Sequence, residues 1–168
     1  MDSLLNAIAI RTTLRPGDLG TIVRMHGEIY AREHGFDPTF EAYVAGPLAE
    51  LALRESPRER LWIAEAASGI VGCVAIAAAD DRTAQLRWFL VDPAHRGAGI
   101  GSLLVHEAVA FAKEAGYDTV VLWTVGALSS AARIYAAEGF VRTEERPGRR
   151  WGADVVEEKH ELQLHGGR

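Results

Sequence analysis

The chain has 168 residues, 48% of them hydrophobic and 24% charged, and a formal charge of −5 from 18 Lys and Arg against 23 Asp and Glu. That length suits one domain, expected over residues 8–165, and the apolar share excludes a disordered or fibrous chain. The mild acidity gives no general pull toward nucleic acid or an anionic membrane, so neither is expected as a partner. Cys73 is the only cysteine, which excludes an intramolecular disulfide and a cysteine-built zinc site and fits a reducing, cytoplasmic setting. Met1 to Ile10 shows no basic start with a long apolar run, and no stretch of roughly 18 apolar residues occurs, so no signal peptide or membrane span is expected.

Ala7 to Leu14 alternates Ile8, Ile10 and Thr12 as a first strand, broken by Pro16-Gly17. A helix follows in which Ile22, Val23, His26, Ile29, Tyr30 and Glu33 share a face. Asp37-Pro38 starts the next helix, with the carboxylate as cap and the proline in the first turn, and Pro47 is expected to kink or divide it. Leu61 to Ala66 and Ile70 to Ala79 form a hairpin through Ser68-Gly69, and Asp80-Asp81 turns the chain into a third strand, Gln85 to Val91. Ile100, Leu103, Leu104, Ala108, Phe111, Ala112 and Ala115 lie on one stripe of a strong helix that Gly116 ends. Thr119 to Val125 is an apolar run of strand length. Ser129 to Glu138 is an alanine-rich helix closed by Gly139, with Phe140 folding back. Arg142 to Arg150 is expected to be a solvated loop, and Val155 to Leu164 the last strand. The order predicts an α/β fold: a central mixed, mostly antiparallel twisted sheet flanked by helices, with a parallel strand-helix-strand unit over residues 85–125.

The string Asp92-Pro93-Ala94-His95-Arg96-Gly97-Ala98-Gly99-Ile100-Gly101 stands between a strand and a helix. Glycines there let several N–H groups converge, and the helix start adds positive potential, so a phosphate is the natural guest. A Walker-type loop would need Gly-Lys-Ser/Thr, which is absent. A dinucleotide loop would place Gly-x-Gly-x-x-Gly directly after the strand, whereas four residues are interposed and the last glycine comes one position early.

Arg96-Gly97-Ala98-Gly99-Ile100-Gly101 resembles, at every fixed position, the Arg/Gln-x-x-Gly-x-Gly/Ala signature of the GCN5-related N-acetyltransferases. Val91-Asp92-Pro93 looks like that family's lead-in, and Ile134-Tyr135-Ala136-Ala137-Glu138-Gly139-Phe140 resembles its second block. The flanking stretches, His26 to Tyr43 and Trp151 to Leu164, are similar to the acetyltransferase half of proteins that carry a MarR-type DNA-binding domain in front, for which the chain as read leaves no room.

The resemblance implies an acetyl-CoA-dependent N-acetyltransferase that works by direct transfer to a primary amine in a ternary complex. Backbone amides from Ala98 to Gly101 would hold the coenzyme pyrophosphate, with Arg96 and Gly97 shaping the loop. The strand end Leu90-Val91 would diverge from the strand beginning at Thr119, leaving an opening for the pantetheine arm, and an N–H near Leu90 would polarise the thioester carbonyl. The acceptor ammonium must lose a proton, since its ordinary pKa is roughly 10.4, and the departing thiolate benefits from an acid. Tyr135 matches the family's position for that acid and also borders the coenzyme. The family often places Asn where this chain has Leu128, so either Ser129 or Ser130 supplies that contact or the contact is missing.

For the base, His26 and Tyr30 lead Glu28, Glu33 and His34, because they share the helix face with Ile22 and Ile29. Trp123, Arg149, Trp151 and Asp154 could shape the pocket. Cys73, between Gly72 and Val74, reads as a buried inert thiol. His106 lacks a partner at metal-ligand spacing, and no metal is expected. The acceptor is a small-molecule or peptide amine, and a second copy of the chain could pair through the sheet edges or the last strand. A coenzyme-binding sensor with little or no transferase activity is the alternative that Leu128 favours.

Overall fold

Gly69–Ala78 is a strand buried on both faces, and such a strand can lie only inside a covered sheet. The computed structural model describes residues 7–126 and 129–165 and sets this strand third in a seven-stranded sheet. In chain order the elements are β1 (Ala9–Arg11), α1 (Asp18–His34), α2 (Thr39–Arg54), β2 (Arg60–Ala66), β3 (Gly69–Ala78), β4 (Thr83–Val91), a 3-10 turn (Pro93–His95), α3 (Ile100–Glu114), β5 (Thr119–Val125), α4 (Ser129–Glu138), β6 (Val141–Arg150) and β7 (Ala153–Gln163). The sheet order is β1-β2-β3-β4-β5-β7-β6, antiparallel at every step except β4 beside β5. The mixed, mostly antiparallel sheet flanked by helices agrees with the expectation.

Alternation along the strands divides the core in two. Val74, Ile76 and Leu86 pack with Ile100, Leu104 and Ala108 of α3, and Tyr135 of α4 joins that cluster. Cys73, Ala75 and Leu90 pack with Ile22 and Ile29 of α1 and Phe40 and Leu48 of α2. Gly72 has no room for a side chain, since a Cβ would stand 3.0 Å from the Leu90 carbonyl oxygen and 3.2 Å from Leu104 Cδ1. At the sheet's first edge the Arg11 guanidinium holds Asp18 at 2.6 and 2.9 Å and also binds Glu65, tying β1 to both α1 and β2.

Three expectations change. The first strand is three residues long rather than Ala7 to Leu14. Pro47 neither divides nor ends its helix, which runs unbroken from Thr39 to Arg54. Burial of Phe40, Val44, Leu48 and Leu51 along one face outweighs the roughly 3 kcal/mol that an interior proline costs. Arg142 to Arg150 is not a loop but β6, paired along its length with β7. As an edge strand it is exposed at nearly every position, so charged residues on both faces conceal the period-two signal. β7 is therefore enclosed between β5 and β6. The N-cap position is Pro38 rather than Asp37, whose carboxylate lies one residue earlier and accepts the Thr39 N–H at 2.9 Å.

Leu104 is fully buried between α3 and the sheet. Leu104→Ala is expected to cost about 3 kcal/mol of unfolding free energy in urea titration, the range for truncating a packed leucine. A loss under about 1 kcal/mol would mean that α3 is not the packed element described.

Candidate functional site

β4 and β5 pair only where Thr83, Ala84 and Gln85 face Thr119, Val120 and Val121. Beyond Gln85 the strands part. Between the pairs Cys73–Leu90 and Ala75–Arg87, β4 carries one residue more than β3, and Trp88 takes a left-handed φ of 50° within this bulge. Such a bulge bends its strand and ends regular pairing. The Cys73 thiol donates to the Trp88 carbonyl at 3.1 Å and so fixes it. Among the described residues, the N–H groups on the β5 side of β4 beyond Gln85 have no strand partner.

At the end of β4 the Asp92 carboxylate accepts the Ala94 N–H at 2.9 Å, and the Asp92 carbonyl accepts that of His95 at 2.8 Å. Gly97 and Gly99 then take φ of 81° and 87°, which a side chain would strain, and α3 begins at Ile100. The N–H groups of residues 97–102 have no acceptor among the described residues. Six donors converging at a helix start suit an anion. Arg96 braces the loop, donating through Nε to the Val91 carbonyl at 3.1 Å and gripping Glu33 of α1 at 2.6 and 3.3 Å. The loop borders a cleft of about 390 Å³ whose walls include Leu90, Val91, Arg96, Gly99, Gly101 and Ser130. At Gly101 a Cβ would meet Ile134 Cδ1 at 2.9 Å and Phe89 Cζ at 3.0 Å. Ala98 and Ile100 do not line this cleft, the Ile100 side chain being in the core.

On the α1 and α2 face of the same fork lies a smaller void of about 100 Å³, lined by His26, Tyr30, Phe40, Trp88, Tyr135 and Trp151 among others. Tyr30 stands at its hub, 4.5 Å from the Phe40 ring and stacked 6.1 Å from His26. Trp151, at the β6–β7 turn, packs 5.1 Å from Phe36, Phe40 and Tyr43, and its carbonyl accepts the Asp37 N–H at 2.8 Å. The structure therefore brings together the three predicted catalytic side chains, His26, Tyr30 and Tyr135. Burial pushes the Tyr135 phenol well above its ordinary range, helped by nearby Tyr30, and pushes Tyr30 up to about 12. His26 Nδ1 lies 2.8 Å from the Ile22 carbonyl, while Nε2 is buried with no partner among the described residues. If Nδ1 carries the proton, Nε2 presents a lone pair.

Other predicted residues separate. Trp123 and Trp151 line the void, whereas Arg149 and Asp154 pair with each other at 3.3 Å on the exposed hairpin. Glu28 lines a different cleft, beside β1, and Glu33 is engaged by Arg96. His34 packs on Tyr30 and Phe36 rather than lining the void. Cys73 is buried, its thiol pushed up to about 12 by desolvation, in keeping with an inert role. His106 has a carboxylate neighbour that no sequence spacing signalled, because α4 brings the remote Glu138 to 3.1 Å. Leu128 lies outside the described residues. Sequence reasoning missed Gln85, Arg87 and Glu157 as lining residues; Arg87 was a position in an ordinary strand until the bulge and fork gave it a cavity.

His26 generates a pH prediction. Desolvation lowers its folded pKa from 6.5 to about 4. Between these values the unfolded chain binds the additional proton, so stability is present above pH 6.5 and is lost as pH falls toward 4. Urea titration should show that going from about pH 7 to about pH 4.5 costs wild type roughly 2–3 kcal/mol more than it costs His26→Gln. Equal losses in the two proteins would contradict a neutral buried imidazole.

The comparisons agree on the fold and on the family. The model of the acetyltransferase (GNAT) domain matches residues 57–142, half of the chain and the segment holding the fork and the loop. An N-acetyltransferase of Schizosaccharomyces pombe is 30% identical over 142 residues, 82% of this chain and 85% of that one. Human N-acetyltransferase 8B is 39% identical over 87 residues, which are 49% of this chain but only 38% of the human protein. Among solved structures, yncA from Salmonella typhimurium, determined with its cofactor acetyl-CoA, superposes with a TM-score of 0.78 at 20% identity and covers 96% of each chain. Spermidine N-acetyltransferase from Vibrio cholerae, in complex with CoA and spermine, gives 0.68 at 19% identity over 95% of this chain and 96% of that one. With the family model on half its length and a 30% identical relative matched over 82% of it, the chain belongs to the GNAT acetyltransferase family.

Proposed function

We propose that this chain uses acetyl-CoA to acetylate a primary amine, by direct attack within a ternary complex. The observation that carries this reading is the run of acceptor-free N–H groups over residues 97–102 opening on the cleft beside the β4–β5 fork. Acetyl-CoA supplies an activated acyl group and a thiolate leaving group. The residues present suit it: the loop donors match a pyrophosphate, the unpaired edge of β4 matches an amide-bearing arm, and Gly101 leaves space where a side chain would fill the cleft. A yncA structure holding acetyl-CoA on the same fold supports this placement.

Arg96 holds the loop against Glu33 and the end of β4, so its contribution is to positioning rather than chemistry. A β4 N–H near Leu90 polarises the thioester carbonyl. The phenol of Tyr135, kept protonated by burial, donates a hydrogen bond to the departing thiolate, and the proton that the thiolate finally takes up is the one the amine gives up. Tyr30, pushed up to about 12, remains a phenol at neutral pH and orients rather than deprotonates. His26 is neutral above about pH 4, and its unpartnered Nε2 can accept an N–H from the incoming amine. Ser130 borders the coenzyme cleft and can supply the hydroxyl contact expected there.

Calorimetric titration of acetyl-CoA, with NAD as control, tests the loop. Wild type is expected to bind acetyl-CoA alone, and the Arg96→Ala, Gly99→Val double variant to lose binding, because valine strains the left-handed turn and alanine frees it from Glu33. Absence of acetyl-CoA binding in wild type would refute the assignment. For Tyr135→Phe, thiol release is expected to fall about 100-fold with little change in acetyl-CoA affinity; full turnover in the variant would remove Tyr135 from the acid role. Binding retained in wild type without turnover on a broad amine panel would identify a coenzyme-binding module instead.

A further inference from the structure

Arg87 is the residue at which β4 leaves β5, two positions past their last pair and immediately before the left-handed Trp88. Its neighbour Leu86 packs toward α3, so Arg87 points to the opposite face, where it lines the aromatic void together with Gln85. The guanidinium is half-buried and stacks 4.6 Å over the Trp88 ring. Among the described residues it has no carboxylate partner and no hydrogen bond, whereas the other charged groups near the void are engaged. Glu157 is held by Arg150 at 3.0 Å through both oxygens, and Arg146 by Glu144 at 2.8 Å. Arg150 also covers Trp151 at 4.3 Å, and Arg146 covers Trp123 at 4.5 Å. A partly desolvated guanidinium with five donors and no acceptor is suited to a planar anion, and its fork geometry favours a carboxylate.

We infer that the amine acceptor carries a carboxylate, which Arg87 binds, and an apolar side chain, which the Tyr30, Phe40 and Trp151 rings receive: an apolar or aromatic amino acid. This inference rests on the acetyltransferase reading above. Anchoring a carboxylate on Arg87 places the attached amine at the fork, where β4 turns toward the coenzyme cleft and His26 Nε2 is unpartnered. A void near 100 Å³ is smaller than the roughly 150 Å³ engineered cavity that takes benzene, so it holds the head of such a molecule while the rest follows the aromatic wall outward.

The test compares acceptors that differ only by the carboxylate: phenylalanine with phenethylamine, and leucine with isoamylamine, assayed by thiol release, with acetyl-CoA binding measured on each protein by calorimetry. Wild type is expected to favour the amino acid of each pair in kcat/KM by at least about tenfold, the worth of a charge-assisted contact. Arg87→Gln should abolish that preference while binding acetyl-CoA as wild type does, and Arg87→Lys should restore part of it. Equal or better turnover of the decarboxylated amines by wild type would overturn the inference. So would an Arg87→Gln defect that falls equally on both members of a pair or on acetyl-CoA binding, since Arg87 would then be a fold or coenzyme residue. Turnover of none of the four, with acetyl-CoA bound, overturns the acceptor class and leaves the coenzyme site standing; failure to bind acetyl-CoA removes the underlying acetyltransferase reading.

Discussion

Parallel pairing between β4 and β5 ends after Gln85 and Val121, and the working parts of the molecule are arranged around that interruption. Buried backbone donors without acceptors are costly, so a fold that leaves a strand edge open in its middle does so against its own stability. The bulge at Trp88, the Cys73 thiol on its carbonyl and the tight approach of Gly72 to Leu90 hold β4 away from β5. The same departure turns Arg87 into one cavity and brings Leu90 and Val91 to the wall of the other. One backbone irregularity thus borders both the larger cleft and the smaller aromatic void.

The two halves of the core have different duties around this fork. On one face α3 packs through Leu104 and Ala108 and presents its N-terminus to the cleft, so the rigidity of that core is what points the loop amides. On the other, α1 carries His26, Tyr30 and Glu33 across the mouth of the fork, and Glu33 locks onto Arg96. That ion pair joins the helix bearing the base candidate to the loop that would hold the coenzyme. The β6–β7 hairpin closes the far side, its Trp151 packed among the aromatic rings of α2 and its carbonyl bonded to Asp37. The aromatic wall of the smaller void is therefore built by three elements far apart in sequence.

Legibility in the sequence followed the range of the signal. The loop could be read because its needs are local: glycines where φ is positive, an aspartate that caps the 3-10 turn, and an apolar stripe behind it. Tyr135 could be placed because the block around it resembles a family motif, and His26 and Tyr30 because helical period put them with Ile22 and Ile29. β6 could not be read, since an edge strand with Arg142, Glu145, Arg146 and Arg149 exposed and with Pro147 and Gly148 inside has the composition of a loop. Its strand state comes from pairing with β7, a tertiary fact. The continuity of α2 through Pro47 has the same origin in packing. The bulge at Trp88, a non-glycine residue at positive φ, has no sequence mark, and with it the role of Arg87 was hidden.

The central claim, that the broken β4–β5 pairing and the amides of residues 97–102 form one coenzyme site, is tested most directly by amide hydrogen exchange with and without acetyl-CoA. The account predicts new protection in two separated stretches, β4 from Leu86 to Val91 and the loop from Gly97 to Ser102, with little change at the β1 and β6 edges. Protection confined to the loop would contradict a bound arm along β4, and unchanged exchange in both stretches would contradict the site itself.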